Sequence, residues 1–388
     1  MKRVLVIVVT YNGMQWLGRC LGSVQGDARS EPGMTKTEHF VTPGMTKTEH
    51  SVTPGLTKTE HSVTPGLTKT EHSVTPGLTG GLVVDLYVWD NDSTDGSADF
   101  VEAEYPQAKL VRSADNLGFS IPNNKGMQYA LDKGYDYVYL LNQDAWLEPG
   151  ALEKLVAVAD VHPEYGLLSP MQMTDGYKGL DEQFAKRLPV KPAMTSIVSF
   201  PAPTSSCPVS TSSCPVSTSS FPVSTSSCPA STSSCPASTS SCPAPTGHLI
   251  NVPFVMAAHW LVPTRVIRKV GLFNEELFPH WGQDDDWCQR LDFYGLKIGV
   301  VEEARGVHDR ATRQESVEKL VKRNYYTGSL IRLCDVRRPL WERFFYVLLF
   351  TAVKSIKYRS LLPFKYLRTI VRQLPQVRNH RAVVRARA

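Results

Sequence analysis

Three apolar runs in this chain stop abruptly on polar side chains, and this pattern narrows the fold more than any other feature. Residues 4–9 form a continuous apolar, β-branched run followed by Thr10-Tyr11-Asn12-Gly13. Residues 82–89 end on Asp90, and Tyr137-Val138-Tyr139-Leu140-Leu141 ends on Asn142-Gln143-Asp144. Runs without polar alternation read as strands buried on both faces of a parallel sheet. Between them the spacing predicts helices over residues 14–24, 97–105, 124–133 and 149–159, with a short strand at 109–112. Strands alternating with helices imply a doubly wound, mostly parallel α/β sheet flanked by helices. The chemistry of such sheets gathers at the carboxyl ends of the strands, where these polar residues stand. Met1-Lys2-Arg3 ahead of the first run superficially resembles a signal peptide. The run is short and no small-residue cleavage site follows, so it reads as the first strand.

Two low-complexity repeats interrupt this pattern. An 11-residue unit such as Gly44-Met45-Thr46-Lys47-Thr48-Glu49-His50-Ser51-Val52-Thr53-Pro54 recurs over residues 33–79, and a 7-residue Ser-Thr-Ser-Ser-Cys-Pro-Val/Ala unit over 203–246. An eleven-residue period can signal a coiled coil, but a proline in every unit and the lack of an apolar seam exclude one here. The regular histidines (His39, His50, His61, His72) and the cysteines (Cys207, Cys214, Cys228, Cys235, Cys242) favour loosely turned insertions over a metal array. Neither repeat falls inside an expected strand, and surface loops tolerate such additions because closure entropy grows slowly with length. Outside the repeats only Cys20, Cys288 and Cys334 remain, which is no disulfide framework and suits a reducing cytoplasm.

The net charge of +5 conceals an asymmetry. From Arg337 onward thirteen Lys/Arg face the single acid Glu342, so the rest of the chain is acidic. A basic tail of this kind favours an anionic surface. The apolar stretch 344–353 is too short to span a bilayer, and with Lys354, Lys357, Arg359, Lys365, Arg368 and Arg372 it reads as interfacial helices. A helical bundle packed on the domain with a solvated basic face is the alternative. No basic motif interleaved with aromatics supports nucleic-acid binding.

Asp144, just beyond a buried strand, is placed to hold a hard divalent cation against a phosphate; a helix N-cap is its structural alternative. Asp90 opens the polar turn Asp90-Asn91-Asp92-Ser93-Thr94-Asp95-Gly96-Ser97 and can accept from a nucleobase N–H or a ribose hydroxyl. Asp92 and Asp95 read as turn formers, and Ser97 as the cap of the following helix. In Asn116-Leu117-Gly118-Phe119-Ser120-Ile121-Pro122-Asn123-Asn124-Lys125-Gly126 the amides and Gly118 can bring backbone N–H groups to a phosphate or sugar, or form a simple loop. Asp284-Asp285-Asp286 offers either a cleft carboxylate or a helix N-terminal cluster.

Taken in order, Val-Thr-Tyr-Asn, Asp-Asn-x-Ser-Thr-Asp-Gly-Ser, Asn-x-Gly-Phe-x-x-x-Asn-Asn-x-Gly and Leu-Leu-Asn-x-Asp resemble the family 2 inverting glycosyltransferases, in their rhamnosyltransferase-like branch. The resemblance implies a GT-A fold over residues 1–310, interrupted by the two repeats, with a helical basic extension over 311–388. It implies a nucleotide-diphosphate sugar donor, Mg²⁺ or Mn²⁺, and a saccharide or lipid-linked acceptor in cell-surface polysaccharide synthesis. Thr10, Tyr11, Asn12 and Asp90 would line the nucleotide pocket, with Asn116 and Gly118 contributing from their loop. Asn142-Gln143-Asp144 stands where the family carries its Asp-x-Asp metal motif, leaving Asp144 as the metal ligand. A fifth motif, from Gly271 through Asp284-Asp285-Asp286-Trp287-Cys288-Gln289-Arg290, maps the catalytic base onto Asp284 and a structural role onto Asp286. His308 matches a histidine that reaches the diphosphate or metal. Two departures stand out. Gln283 replaces the usual Glu beside Asp284, and Pro122 removes a backbone donor from the glycine-rich loop. They leave a second reading open, a catalytically degenerate nucleotide-binding or scaffold protein. The expected location is cytoplasmic, peripheral at the inner face of the membrane.

Overall fold

The computed structural model describes residues 1–25, 81–188, 248–309 and 316–388. Both expected repeat insertions, 33–79 and 203–246, lie outside the described residues. Residues Met1–Pro189 and Gly247–Ala388 belong to one compact unit.

Its centre is a sheet of order β3-β2-β1-β4-β8-β6-β9-β5, built from β1 (Lys2–Thr10), β2 (Leu82–Asp90), β3 (Lys109–Arg112), β4 (Tyr137–Asn142), β5 (Ala145–Leu147), β6 (Tyr165–Met173), β8 (His259–Pro263) and β9 (Lys297–His308). The short β7 (Leu249–Asn251) pairs with β9. The first four strands in this order are parallel, as the continuous apolar runs of β1 and β4 predict. Along β1, Val4, Val6 and Val8 enter one core while Leu5 and Ile7 enter the other, all at most 1% exposed. Burying each such side chain contributes about 1.5–3 kcal/mol. The second half is mixed: β8 runs antiparallel to β4 and β6, β9 is parallel to β6, and β5 and β7 are antiparallel to β9.

Helices α1 (Met14–Gln25), α2 (Ser97–Glu104), α3 (Ser120–Asp132), α4 (Ala151–Val161), the short α5 (Glu182–Ala185), α6 (Thr264–Val270) and α7 (Gln283–Phe293) flank the sheet. The start of α3 differs from the expectation. The helix begins at Ser120, so Pro122 sits in its first turn, where an N–H has no intrahelical acceptor. The donor lost at Pro122 therefore costs the helix no hydrogen bond. Ser97 is also not the cap of α2. Gly96 holds that position in the left-handed region (φ 86°), while Ser97 Oγ donates to Asp95 and accepts from Gly13 N–H.

Downstream, α8 (Val317–Val321) and α9 (Gly328–Cys334) are joined by a π-helical turn at Lys322–Thr327, followed by α10 (Leu340–Tyr358), α11 (Leu362–Arg372) and α12 (Leu374–Ala386). These helices share a core in which Tyr325, Leu330, Leu333, Val347, Ile370 and Val377 pack on Leu277 and Phe278. No helix among the described residues is long and apolar enough to cross a membrane.

Candidate active site

Three strand ends meet side by side, because the register pairs Thr10 with Asp90 and Val9 with Asn142. Thr10 is fully buried and its Oγ1 donates to Gln143 Oε1, which also accepts from Tyr11 N–H. Tyr11 itself is half exposed. Asn12 takes a positive φ of 49° and accepts from Thr94 N–H through Oδ1. Asp90, 3% exposed, accepts from Ser93 N–H with Oδ2 while its Oδ1 is buried without a partner. An orphaned carboxylate oxygen costs free energy unless something donates to it, so this atom marks a place for a ligand N–H or O–H. Asn142 closes β4, its backbone held by Ala258 and Cys20.

Asp144 lies between β4 and β5, and Ala145 pairs with His308 across β5 and β9. That register brings His308 Nε2 to 3.5 Å from Asp144 Oδ1. Asp144 caps no helix: its carbonyl accepts from Asp309 N–H and its carboxylate is partly open. Beneath the pair is His259, fully buried between the Tyr139 hydroxyl and the Val307 carbonyl. Burial drives its pKa down to about 3, so it supplies no charge at neutral pH. A carboxylate oxygen beside an imidazole nitrogen is a donor set that fits a divalent cation, and the mixed donors suit Mn²⁺ better than Mg²⁺.

The loop after β3 is built as a joint. Asn116 is exposed, and its Oδ1 accepts from Gly118 N–H, forming its own turn. Gly118 has φ 77°, and a Cβ there would lie 2.6 Å from the Pro279 carbonyl. Asn124 Nδ2 donates to the Phe273 carbonyl and Oδ1 accepts from Phe273 N–H, at 3.0 and 2.9 Å. Asn124 therefore ties the start of α3 to the segment that leads into α7.

Asp284 stands in the first turn of α7 and lines a cleft of about 1210 Å³ together with Asp285, Gln283 and His308. Asp284 is half-buried, and burial pushes its carboxyl above the usual carboxylate range. Burial and the neighbouring Asp284 charge push Asp285 up to about 7. Gln283 is buried with Oε1 unpartnered, so the position usually held by Glu carries no charge here. Arg187 also lines the cleft, stacked on Phe254 at 4.2 Å.

Asp286 is not the helix cap expected of it, since Gly282 occupies that position; it lies in the first turn of α7 and has a different structural role. Its Oδ2 accepts from Arg290 Nε and its Oδ1 meets His380 Nε2, both at 2.9 Å. Burial alone would raise its pKa; Arg290 and His380 outweigh burial and hold the carboxyl below its usual value. Asp286, Cys334 and His380 bring donor atoms within 4.8 Å of one another. The guanidinium already on Asp286 and the burial that pushes the Cys334 thiol up make this a latch between α7 and α12 rather than a cation site.

Sequence reasoning missed Gln143, Asn91 and His259. Asn91 Nδ2 donates to the Gly118 carbonyl, and its Oδ1 accepts from Trp89 and from Leu117 N–H. An amide directly after a strand-ending Asp was the available signal. Nothing in the local pattern marks His259 as buried.

Residues 66–185 match the family model for glycosyl transferase family 2. A segment is 30% identical over 96 residues to the N-acetylglucosaminyl-diphospho-decaprenol L-rhamnosyltransferase of Mycobacterium tuberculosis, covering 23% of this chain. That match spans 31%, about a third, of the relative's length. Among solved structures, S. aureus TarS 1-349 in complex with UDP-GlcNAc superposes with a TM-score of 0.44 at 14% identity, covering 98% of this chain and 79% of that one. GalNAc-T7 with UDP, GalNAc and Mn²⁺ gives 0.43 at 10% identity, covering 85% and 50%.

Proposed function

We propose that this chain, whose residues 66–185 match the family 2 glycosyl transferase model, moves a sugar from a nucleotide-diphosphate donor to a hydroxyl of a saccharide or lipid-linked acceptor, with inversion, in cell-surface polysaccharide synthesis. The observation that carries the reading is His308, which faces Asp144 at 3.5 Å and also lines the cleft containing Asp284. Donor and acceptor sites thereby share a wall.

In this reading Asp90 Oδ1 accepts from the nucleoside, and Thr10, Tyr11 and Asn12 shape its pocket from the adjoining strand end. Asp144 and His308 hold a divalent cation, Mn²⁺ or Mg²⁺, whose chemistry is to neutralise charge developing on the leaving diphosphate. Asp284 takes the proton of the acceptor hydroxyl. The oxygen then attacks the anomeric carbon opposite the diphosphate, the C–O bond to the diphosphate breaks, and the configuration inverts. The basic C-terminal helices would keep the protein at the inner face of a membrane, where a lipid-linked acceptor is presented.

Asp144→Ala should reduce turnover about 100-fold and abolish the Mn²⁺ dependence of nucleotide binding. Thermal-shift titration with UDP, dTDP and GDP, with and without Mn²⁺, measures the binding half. Nucleotide binding without any turnover across a panel of nucleotide sugars would favour the degenerate reading, which the uncharged Gln283 supports.

The pH profile provides a second test. A base must be ionised, so kcat/KM should fall on the acid side, with a limb above the usual carboxylate range because burial raises Asp284. Asp285→Asn removes the like charge and should move this acid limb to lower pH. The sign for stability is opposite. Raised folded-state values mean the native pair holds protons the unfolded chain has released, so the pair costs stability as pH climbs from about 4 to about 7. An acid limb that stays put in Asp285→Asn would separate the pair from the chemistry.

A further inference from the structure

Helix α12 contains no acidic residue, and Arg378, Arg381 and Arg385 recur along one of its faces at i, i+3 and i+7. Like charges at such spacings destabilise a helix unless something answers them. This face meets Arg337 and Arg338, from the linker between α9 and α10, across a cavity of about 540 Å³. Five guanidiniums line that cavity, and no carboxylate does.

The arginines are held in different ways. Arg381 is only 3% exposed and donates to the carbonyls of Leu333, Asp335 and Arg338. These neutral acceptors fix its guanidinium without cancelling its charge. Arg385 donates to the Val336 carbonyl at 3.4 Å. Arg337 is answered by Asp335 and Asp292, and Asp335 also takes Arg343, so both of these carboxylates are already engaged. Among the described residues no carboxylate lies within ion-pair distance of Arg338, Arg378, Arg381 or Arg385. Burial and the neighbouring Arg385 charge hold Arg381 below its usual value, a sign that cations are crowded here. Leu340 borders the same cavity at the start of α10, which no side chain caps, so free backbone N–H groups add to the positive potential.

Four unanswered cations around one concavity exceed what a single carboxylate can satisfy. A phosphate with two charges and several acceptor oxygens suits them, because each guanidinium fork matches a pair of its oxygens. A nucleic-acid strand spreads its charges one per phosphate and would call for a stripe rather than a pocket. We propose that this cavity is a second phosphate site, apart from the strand ends that receive the donor. Its ligand carries a terminal, doubly charged phosphate, either a free phosphate or diphosphate or a phosphomonoester lipid headgroup. The inference stands apart from the transfer reaction, and its test requires no turnover.

The probes are inorganic phosphate and inorganic diphosphate, titrated calorimetrically into the full chain in EDTA so that no cation bridges them to Asp144. Flotation with phosphatidylcholine vesicles, with and without phosphatidic acid, forms the lipid arm. The double variant Arg338→Gln with Arg378→Gln removes two cations that hold no structural contact among the described residues. It should weaken binding of the preferred probe about tenfold or more. Arg368→Gln with Arg372→Gln removes the same charge from the exposed face of α11 and should leave that affinity within about twofold. Pocket-dependent binding of diphosphate identifies a free anion as the ligand; pocket-dependent binding of phosphatidic acid vesicles alone identifies the headgroup. Equal weakening by the two double variants would reduce the effect to overall charge and overturn the proposal. So would failure of the unaltered chain to bind any of the three phosphates.

Discussion

Replacing Asp284 with asparagine is expected to lower kcat by about 10²- to 10⁴-fold while leaving nucleotide affinity within about twofold. The substitution keeps the shape and the acceptor oxygen that receives Asp285 N–H at 3.1 Å, so α7 should start as before. What it removes is the capacity to take a proton. The setting of this carboxylate suits a base, because partial burial raises its proton affinity while the start of α7 and Arg187 favour its ionised form. Gln283 adds no second negative charge, so the raised affinity of Asp284 for a proton comes from burial. Single-turnover measurements with a saturating donor isolate this step. A kcat within threefold of the wild type would remove Asp284 from the chemistry and shift attention to Asp285.

Asp286→Ala is expected to destabilise the fold by about 3–5 kcal/mol, measured by urea denaturation. Its side chain is 2% exposed, and the change strands the Arg290 guanidinium, itself only 5% exposed. Arg290 also donates to the Val270 and Leu272 carbonyls, so its position anchors the chain entering the acceptor segment. His380 loses its partner in the same step, freeing α12 from α7. The double change Asp286→Ala with Arg290→Met should recover part of this loss by removing the unpaired charge. A loss below 1 kcal/mol in the single variant would show that the latch is not a stabilising contact.

The parallel half of the sheet was legible because β1 and β4 carry continuous apolar runs and β2 is broken only by Asp85, and the double burial of β1 follows from its run. The antiparallel half was not. β6 carries Ser169, Pro170 and Gln172, and β8 begins with His259, so neither reads as a buried strand. These polar groups are accommodated by tertiary partners, such as Tyr139 and Val307 for His259, that no local pattern reveals. For the site, Asp90, Asp144 and Asp284 were legible as carboxylates following strands or opening helices. Their settings were not. That Asp144 meets His308 depends on the β5–β9 register, and that Asp286 is a latch depends on a histidine in the last helix. That Asn116 and Gly118 form a turn held under Pro279 was likewise invisible in the local pattern.

The latch also places a delay in the life of the molecule. Asp286 meets His380, which lies 94 positions later in the chain. At ribosomal rates of 5–20 residues per second, α7 waits roughly 5 to 20 s for its partner to be synthesised, and longer for it to clear the exit tunnel. During that interval Asp286 has only Arg290 as a side-chain partner, and α7 is not yet tied to α12. The contact between α7 and the last helix is therefore among the last that a nascent chain can close.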